Sequence, residues 1–203
     1  MFPKVAKGKG RFARIKGVLA RACQTGADCL IVAAMKLSAK IEKALNAQLN
    51  LELRSFYAYL GMAAYFDHTA FTGFGQWMTL QAREELKHAD KFFKYIVDRG
   101  GKVALQAIPA PRCEYKSVLE AFKTSLIQEE EVSASISGIY ELAAADKDFP
   151  TLSFLKWFLD EQVEEEKSVG DVVAKLELVG DNRNGLYQLD KFAGKRAGAE
   201  TES

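Results

Sequence analysis

Residues 81–95 read Gln-Ala-Arg-Glu-Glu-Leu-Lys-His-Ala-Asp-Lys-Phe-Phe-Lys-Tyr, and the placement of charge in them decides the architecture. The apolar positions around this stretch, Phe74, Met78, Phe92 and Tyr95, recur at the three-and-four spacing of a helix that buries one face. Continuing that spacing through the middle gives positions 81, 85 and 88, where Glu85 and His88 stand. A Glu-x-x-His pair therefore occupies the face that should be core.

Three more segments repeat the pattern. From about Leu37 to Tyr65 the stripe reads Leu45, Leu49, Phe56, Tyr59, Ala63 and Phe66, and its missing member, position 52, is glutamate. A turn over Asp67 to Gly73, holding a solvated His68, leads into the helix quoted above. That helix stops at Arg99 before Gly100 and Gly101. The third stripe reads Phe122, Leu126, Ile136, Tyr140 and Ala143, ends near Asp146, and is broken by Glu129. The fourth reads Leu155, Phe158, Val169, Val172 and Leu176, with Pro150 in its first turn and Gly180 at its end, and is broken by Gln162 and Glu165. A short fifth helix, roughly Leu186 to Phe192, follows a turn over Asp181 to Gly185.

Residues 102–116 carry Pro109 and Pro111 and no periodicity, a connection long enough to run the length of a bundle. Two hairpins joined by one long crossover make an all-α four-helix bundle. Composition agrees: 203 residues, 48% of them apolar, suit one domain with an extra segment, and only 4 prolines interrupt helix formers.

An unpaired carboxylate in a dry interior costs several kcal/mol, and nothing basic stands at the matching seam positions to offset four of them. Any single buried glutamate is most often salt-bridged; a failure at the same level in every helix calls for a bound cation. Glutamate and histidine three residues apart share a helix face and can hold one metal. Hard oxygens with one imidazole and no thiolate suit iron or manganese rather than structural zinc. Tyr59 and Trp157 fall near this level, with core packing as their default role. Cys23, Cys29 and Cys113 form no C-x-x-C pair and imply no disulfide framework, which fits a reducing compartment.

The formal charge of +1 conceals an asymmetry. Residues 1–34 hold seven basic side chains (Lys4, Lys7, Lys9, Arg11, Arg14, Lys16, Arg21) against Asp28. Removing them from the totals of 28 and 27 leaves 21 basic against 26 acidic residues, a formal −5 suited to drawing in cations. The leader has three readings: an organellar presequence, an upstream extension before Met35, or a basic arm for an anionic surface. No apolar run approaches the ~20 residues of a membrane span.

Over residues 37–194 the sequence resembles bacterial-type non-haem ferritins, on the stretches LNAQLNLELRSFYAYLGMAAY, QAREELKHADKFFKYI, FPTLSFLKWFLDEQVEEEKS and GLYQLDK. The resemblance implies a ferritin-like di-iron domain over 35–195 and a flexible tail over 196–203. It implies that Glu52, Glu85 and His88 hold a first iron with Glu85 bridging, and that Glu129 holds a second. Gln162 and Glu165 stand where bacterioferritins carry a second Glu-x-x-His pair, so the second iron has fewer protein ligands. A third site is implied for Glu84, Glu161, Glu164 and Glu165, which Glu130 and Glu131 could join. Haem is not expected, because Leu86 stands where bacterioferritins place a ligating methionine.

The activity implied is a ferroxidase: Fe2+ is oxidised to Fe3+ by O2 or H2O2, with Tyr59 beside the centre, and stored as ferric oxyhydroxide in a hollow 24-subunit homo-oligomer. That reading expects a cytoplasmic protein, or an organellar one if residues 1–34 are a transit peptide. It expects no membrane partner and no nucleic acid. The rivals are another di-iron carboxylate oxidase and a DNA-protecting mini-ferritin, whose ligands lie between subunits rather than inside one bundle. Since the leader supplies neither a seam residue nor a ligand, a chain starting at Met35 is expected to form the same oligomer by light scattering and to oxidise iron at the same rate per subunit.

Overall fold

The structure, a computed structural model, describes residues 36–200, with side chains to residue 195. The leader 1–34 and the last residues of the tail lie outside the described residues. Five helices follow in order: α1 (Ala39–His68), α2 (Thr72–Asp98), α3 (Val118–Ala145), α4 (Phe149–Val179) and α5 (Arg183–Glu200). No strand occurs among the described residues.

Local chemistry sets most of these ends. Ser38, Ser117 and Asp148 cap α1, α3 and α4 by accepting from Ile41 N, Glu120 N and Thr151 N, and Pro150 sits in the first turn of α4. Gly100 (φ 68°) follows α2 and Gly180 (φ 54°) ends α4, both in the left-handed region where a side chain would be strained.

Side-chain bonds between helix ends fix the topology. Ser38 Oγ at the start of α1 donates to Asp146 Oδ2 after α3 (2.9 Å), and Arg99 Nη2 after α2 donates to Asp148 Oδ2 before α4 (3.0 Å). The start of α1 therefore meets the end of α3, and the end of α2 meets the start of α4, so each of these pairs is antiparallel. The segment between α2 and α3 must travel from one end of the bundle to the other. It is strung along α1 by amide side chains: Asn46 Oδ1 accepts from Ala104 N (2.6 Å) and Asn50 Oδ1 from Gln106 N (2.7 Å). Farther on, Gly61 lets the chain pass, since a Cβ there would stand 2.6 Å from Arg112 O. The expected crossover is present.

The buried seam follows the expected stripes with local changes of phase. In α3 the buried set from Phe122 onward is Phe122, Ser125, Glu129, Val132, Ile136, Ile139 and Ala143, after Val118 and Ala121 in its first turn. The anchors seven residues apart match the expectation, but Ser125 and Ile139 replace Leu126 and Tyr140, which lie half-buried. Ile96 likewise replaces Tyr95, and Val173 replaces Val172. A stripe averaging 3.5 residues can step by three or by four between anchors, and packing decides which.

Two boundaries depart further. The turn between α1 and α2 is only residues 69–71, and α2 starts with no cap of its own. Its cap comes from α5: Asp190 Oδ1 accepts from Phe74 N at 2.8 Å. α5 extends beyond Leu186–Phe192 at both ends, despite Gly185 and Gly194 within it. Those glycines allow contact, since a Cβ on Gly194 would lie 3.2 Å from Gly73 Cα. Gly73 is the tightest point, where a Cβ would fall 1.8 Å from Asp190 O. Gly73→Ala is thus expected to push α5 off the bundle at a cost of about 1–3 kcal/mol, read as a lowered Tm in thermal unfolding.

Candidate metal centre

Each of the four long helices carries polar side chains into the seam. Glu52, Glu85, His88, Glu129, Gln162 and Glu165 are all buried, and Glu52 and Glu129 are inaccessible to solvent. Ligand atoms of Glu52, Glu85 and His88 lie within 4.8 Å of one another. Glu85 Oε2 stands 3.8 Å from His88 Nδ1. Tyr59, also fully buried, donates a short hydrogen bond to Glu129 Oε1. Gln162 Nε2 reaches the backbone oxygen of Glu129 at 3.3 Å and its Oε2 at 3.4 Å.

The electrostatics follow from this crowding. Burial pushes the Glu52 carboxyl from its ordinary 4.5 to about 7, opposed by hydrogen bonds from Glu85 and Gln48 and aided by the charge of Glu129. Burial and then the charges of Glu129 and Glu52 raise Glu85 well above its ordinary value. Glu129 is raised by burial, against its bonds from Tyr59 and Gln162. Burial, followed by the positive charges of Lys91 and Lys87, lowers His88 to about 4, leaving a neutral imidazole with a lone pair to donate at pH 7.

Hydrogen bonding exposes the need for a cation. Oε2 of Glu52 and Oε2 of Glu85 are buried yet accept no hydrogen bond. Natural interiors rarely leave such atoms without a partner. A metal ion between them would satisfy both, and the donor set of carboxylates with one imidazole suits iron.

A second group has His88 in common with the first: ligand atoms of His88, Glu161 and Glu165 also lie within 4.8 Å of one another. Glu161 is half-buried, so this group stands nearer solvent. Glu84 is half-buried and Glu164 exposed, and neither enters that cluster. Glu131 is exposed and engaged with Arg54 at 2.6 Å on the α1 side, while Glu130 is exposed. Trp157 lies edge-on to His88, with ring centroids 5.5 Å apart.

The stripes passed over two polar residues. Gln48 Nε2 donates to Glu52 Oε1 at 2.8 Å, and Gln81 Nε2 donates to Glu165 Oε2 at 2.6 Å, both glutamines being fully buried. Gln81 stands at a seam position, and Gln48 lies one turn before Glu52. A glutamine one turn from a buried glutamate was the available signal. These amides orient the carboxylates from behind.

Such a bundle, with acid and imidazole gathered at one level inside a single chain where they could hold a metal, places the protein in the ferritin-like class. Comparison with known proteins narrows this. Residues 42–179 match the ferritin-like domain family. A bacterial non-haem ferritin of Staphylococcus aureus strain USA300 is 44% identical over 160 residues, 79% of this chain and 96% of that protein. The Staphylococcus haemolyticus protein of the same name is 44% identical over 161 residues, 79% of this chain and 97% of that protein. Among solved structures, an open-pore ferritin from Archaeoglobus fulgidus superposes with a TM-score of 0.77 at 44% identity, covering 78% of this chain and 98% of that one. The chain belongs to the ferritin family, and iron storage is its function.

Proposed function

We propose that each subunit is a ferroxidase that takes two ferrous ions as substrate between its four long helices and hands the oxidised iron to a central store. Glu52 and His88 hold one ion, Glu85 bridges, and Glu129 with Gln162 and Glu165 holds the other more loosely. The observation that carries this reading is the buried Glu52–Glu85–His88 group, whose ligand atoms lie within 4.8 Å and whose Oε2 atoms on the two glutamates have no protein donor.

Each ferrous ion gives up one electron. With H2O2 as oxidant, two Fe2+ and one H2O2 react with two waters to give two FeOOH and four protons. With O2, two Fe2+ and four waters give two FeOOH, one H2O2 and four protons. Carboxylates favour the higher charge of the product, and weak ligation at Gln162 lets oxidised iron move on. Tyr59, hydrogen-bonded to Glu129, orients that carboxylate. A third station on the cavity-facing side of α2 and α4 takes Glu84, Glu161, Glu164 and Glu165, of which Glu161 and Glu165 gather with His88.

The assembly proposed is a homo-oligomeric hollow cage of 24 subunits, working in the cytoplasm without haem, membrane or nucleic acid. No described helix is long and apolar enough to cross a membrane. The test is anaerobic loading of the iron-free protein with two Fe2+ per subunit, followed by rapid mixing with O2 or H2O2. A transient visible absorbance decaying to ferric oxyhydroxide, with four protons released per pair, is expected. Oxidation no faster than in protein-free buffer would refute the proposal.

A further inference from the structure

Lys91 follows His88 by three residues and so shares its face of α2. Its Nζ lies 3.0 Å from the centroid of the Trp157 ring. Trp157 in turn meets His88 edge-on, at 5.5 Å and 76°, and precedes Glu161 by one turn of α4. An exposed ammonium is therefore held over the indole that abuts His88, beside a group in which Glu161 is half-buried and Glu165 buried. Partial burial lowers the Lys91 pKa while the charge of Glu161 acts to raise it, so ammonium and carboxylate feel each other.

Two consequences follow from placing a fixed positive charge there. A cation on an indole face is worth about 0.5–2 kcal/mol, enough to keep ring and ammonium together and the ring against His88. The same charge repels a divalent ion approaching Glu161 and Glu165, but acts less on the deeper Glu52–Glu85–His88 group. Because His88 belongs to both groups, weakening the outer one commits the imidazole to the inner one.

We propose that Lys91 is a positioning residue that sets the order of metal filling: clamped on Trp157, its ammonium weakens cation binding by His88, Glu161 and Glu165, so the inner group fills first. This rests on the proposed metal binding at Glu52, Glu85 and His88. Lys91 is exposed, so its replacement does not threaten the fold.

The test is calorimetric titration of the metal-free, full-length protein with Zn2+, a redox-inert probe. Wild type is expected to show a tight phase and a weaker one. Lys91→Gln, which removes the charge, should tighten the weaker phase about tenfold at low ionic strength and narrow the gap. Lys91→Arg, which keeps charge and ring contact, should restore the wild-type gap. An unchanged gap in Lys91→Gln, or Lys91→Arg behaving like Lys91→Gln, overturns the proposal. Glu85→Ala run alongside separates the two ideas. If it loses the tight phase while Lys91→Gln changes nothing, the Lys91 role fails alone; if it keeps the tight phase, the inner site fails and the Lys91 role with it.

Discussion

Replacing Glu85 by alanine is expected to slow the first rapid phase of iron oxidation by about a hundredfold or more, while the oligomer still assembles. Glu85 is 1% exposed, stands 3.8 Å from His88 Nδ1, shares a hydrogen bond with Glu52 and feels the charges of Glu129 and Glu165. Even groups that only orient a ligand cost ten- to a hundredfold when lost, so a bridging ligand should cost at least the upper figure. Stability should change less than for an ordinary core truncation: removing a carboxyl held well above its usual pKa relieves a burial penalty and repulsion, which offset the roughly 2–5 kcal/mol that the cavity costs. Glu85→Gln keeps the volume and isolates the charge. Stopped-flow absorbance reports the first effect, and thermal unfolding in chelator reports the second. Fast oxidation retained in both variants would remove Glu85 from the centre.

Much of this was legible in the sequence because burial in a bundle is periodic. Glu52, Glu85, His88, Glu129, Gln162 and Glu165 all stand at seam positions set by apolar neighbours one and two turns away, and all are buried. Illegible features depend on partners remote in sequence. The sequence pattern places the start of α2 too late because its capping carboxylate, Asp190, belongs to α5. The pattern makes α5 too short because Gly185 and Gly194 lower local helix propensity, and their close contacts with Val179 and Gly73 become visible only in the fold. The phase slip to Ser125 and Ile139 in α3 reflects packing that no single stripe encodes. Lys91 on Trp157 joins residues on two different helices, a pairing that no single-helix stripe encodes.

The stability of the metal-free protein should fall as pH rises from about 6.5 to 8, and a bound divalent cation should cancel the fall. In the unfolded chain Glu52 ionises near 4.5; in the fold it ionises near 7. Between those values the folded state holds a proton that the unfolded state has lost, so stability declines with rising pH and the loss is complete above 7. The gap corresponds to about 3 kcal/mol. Glu85 and Glu129, both raised by burial, act in the same direction, and Glu85 extends the decline to higher pH. His88 opposes them, but only lower down. Its folded value of about 4 lies below the ordinary 6.5, so it adds stability as pH rises between these values and nothing beyond. The carboxylate effect therefore stands unmasked only above about 6.5. Glu52→Gln should flatten the decline between 6.5 and 7.5, and comparison with wild type in the same oligomer removes any pH dependence of the subunit contacts. Zn2+ or Mn2+ should cancel the dependence, because the carboxylates must shed their protons to bind it and each binding event then releases protons to solvent. Thermal unfolding across this pH range in chelator and in excess Mn2+, with proton release followed by a pH indicator, is the measurement. A wild-type Tm that rises through pH 6.5–8 in chelator would show that these carboxylates are not held protonated by their burial.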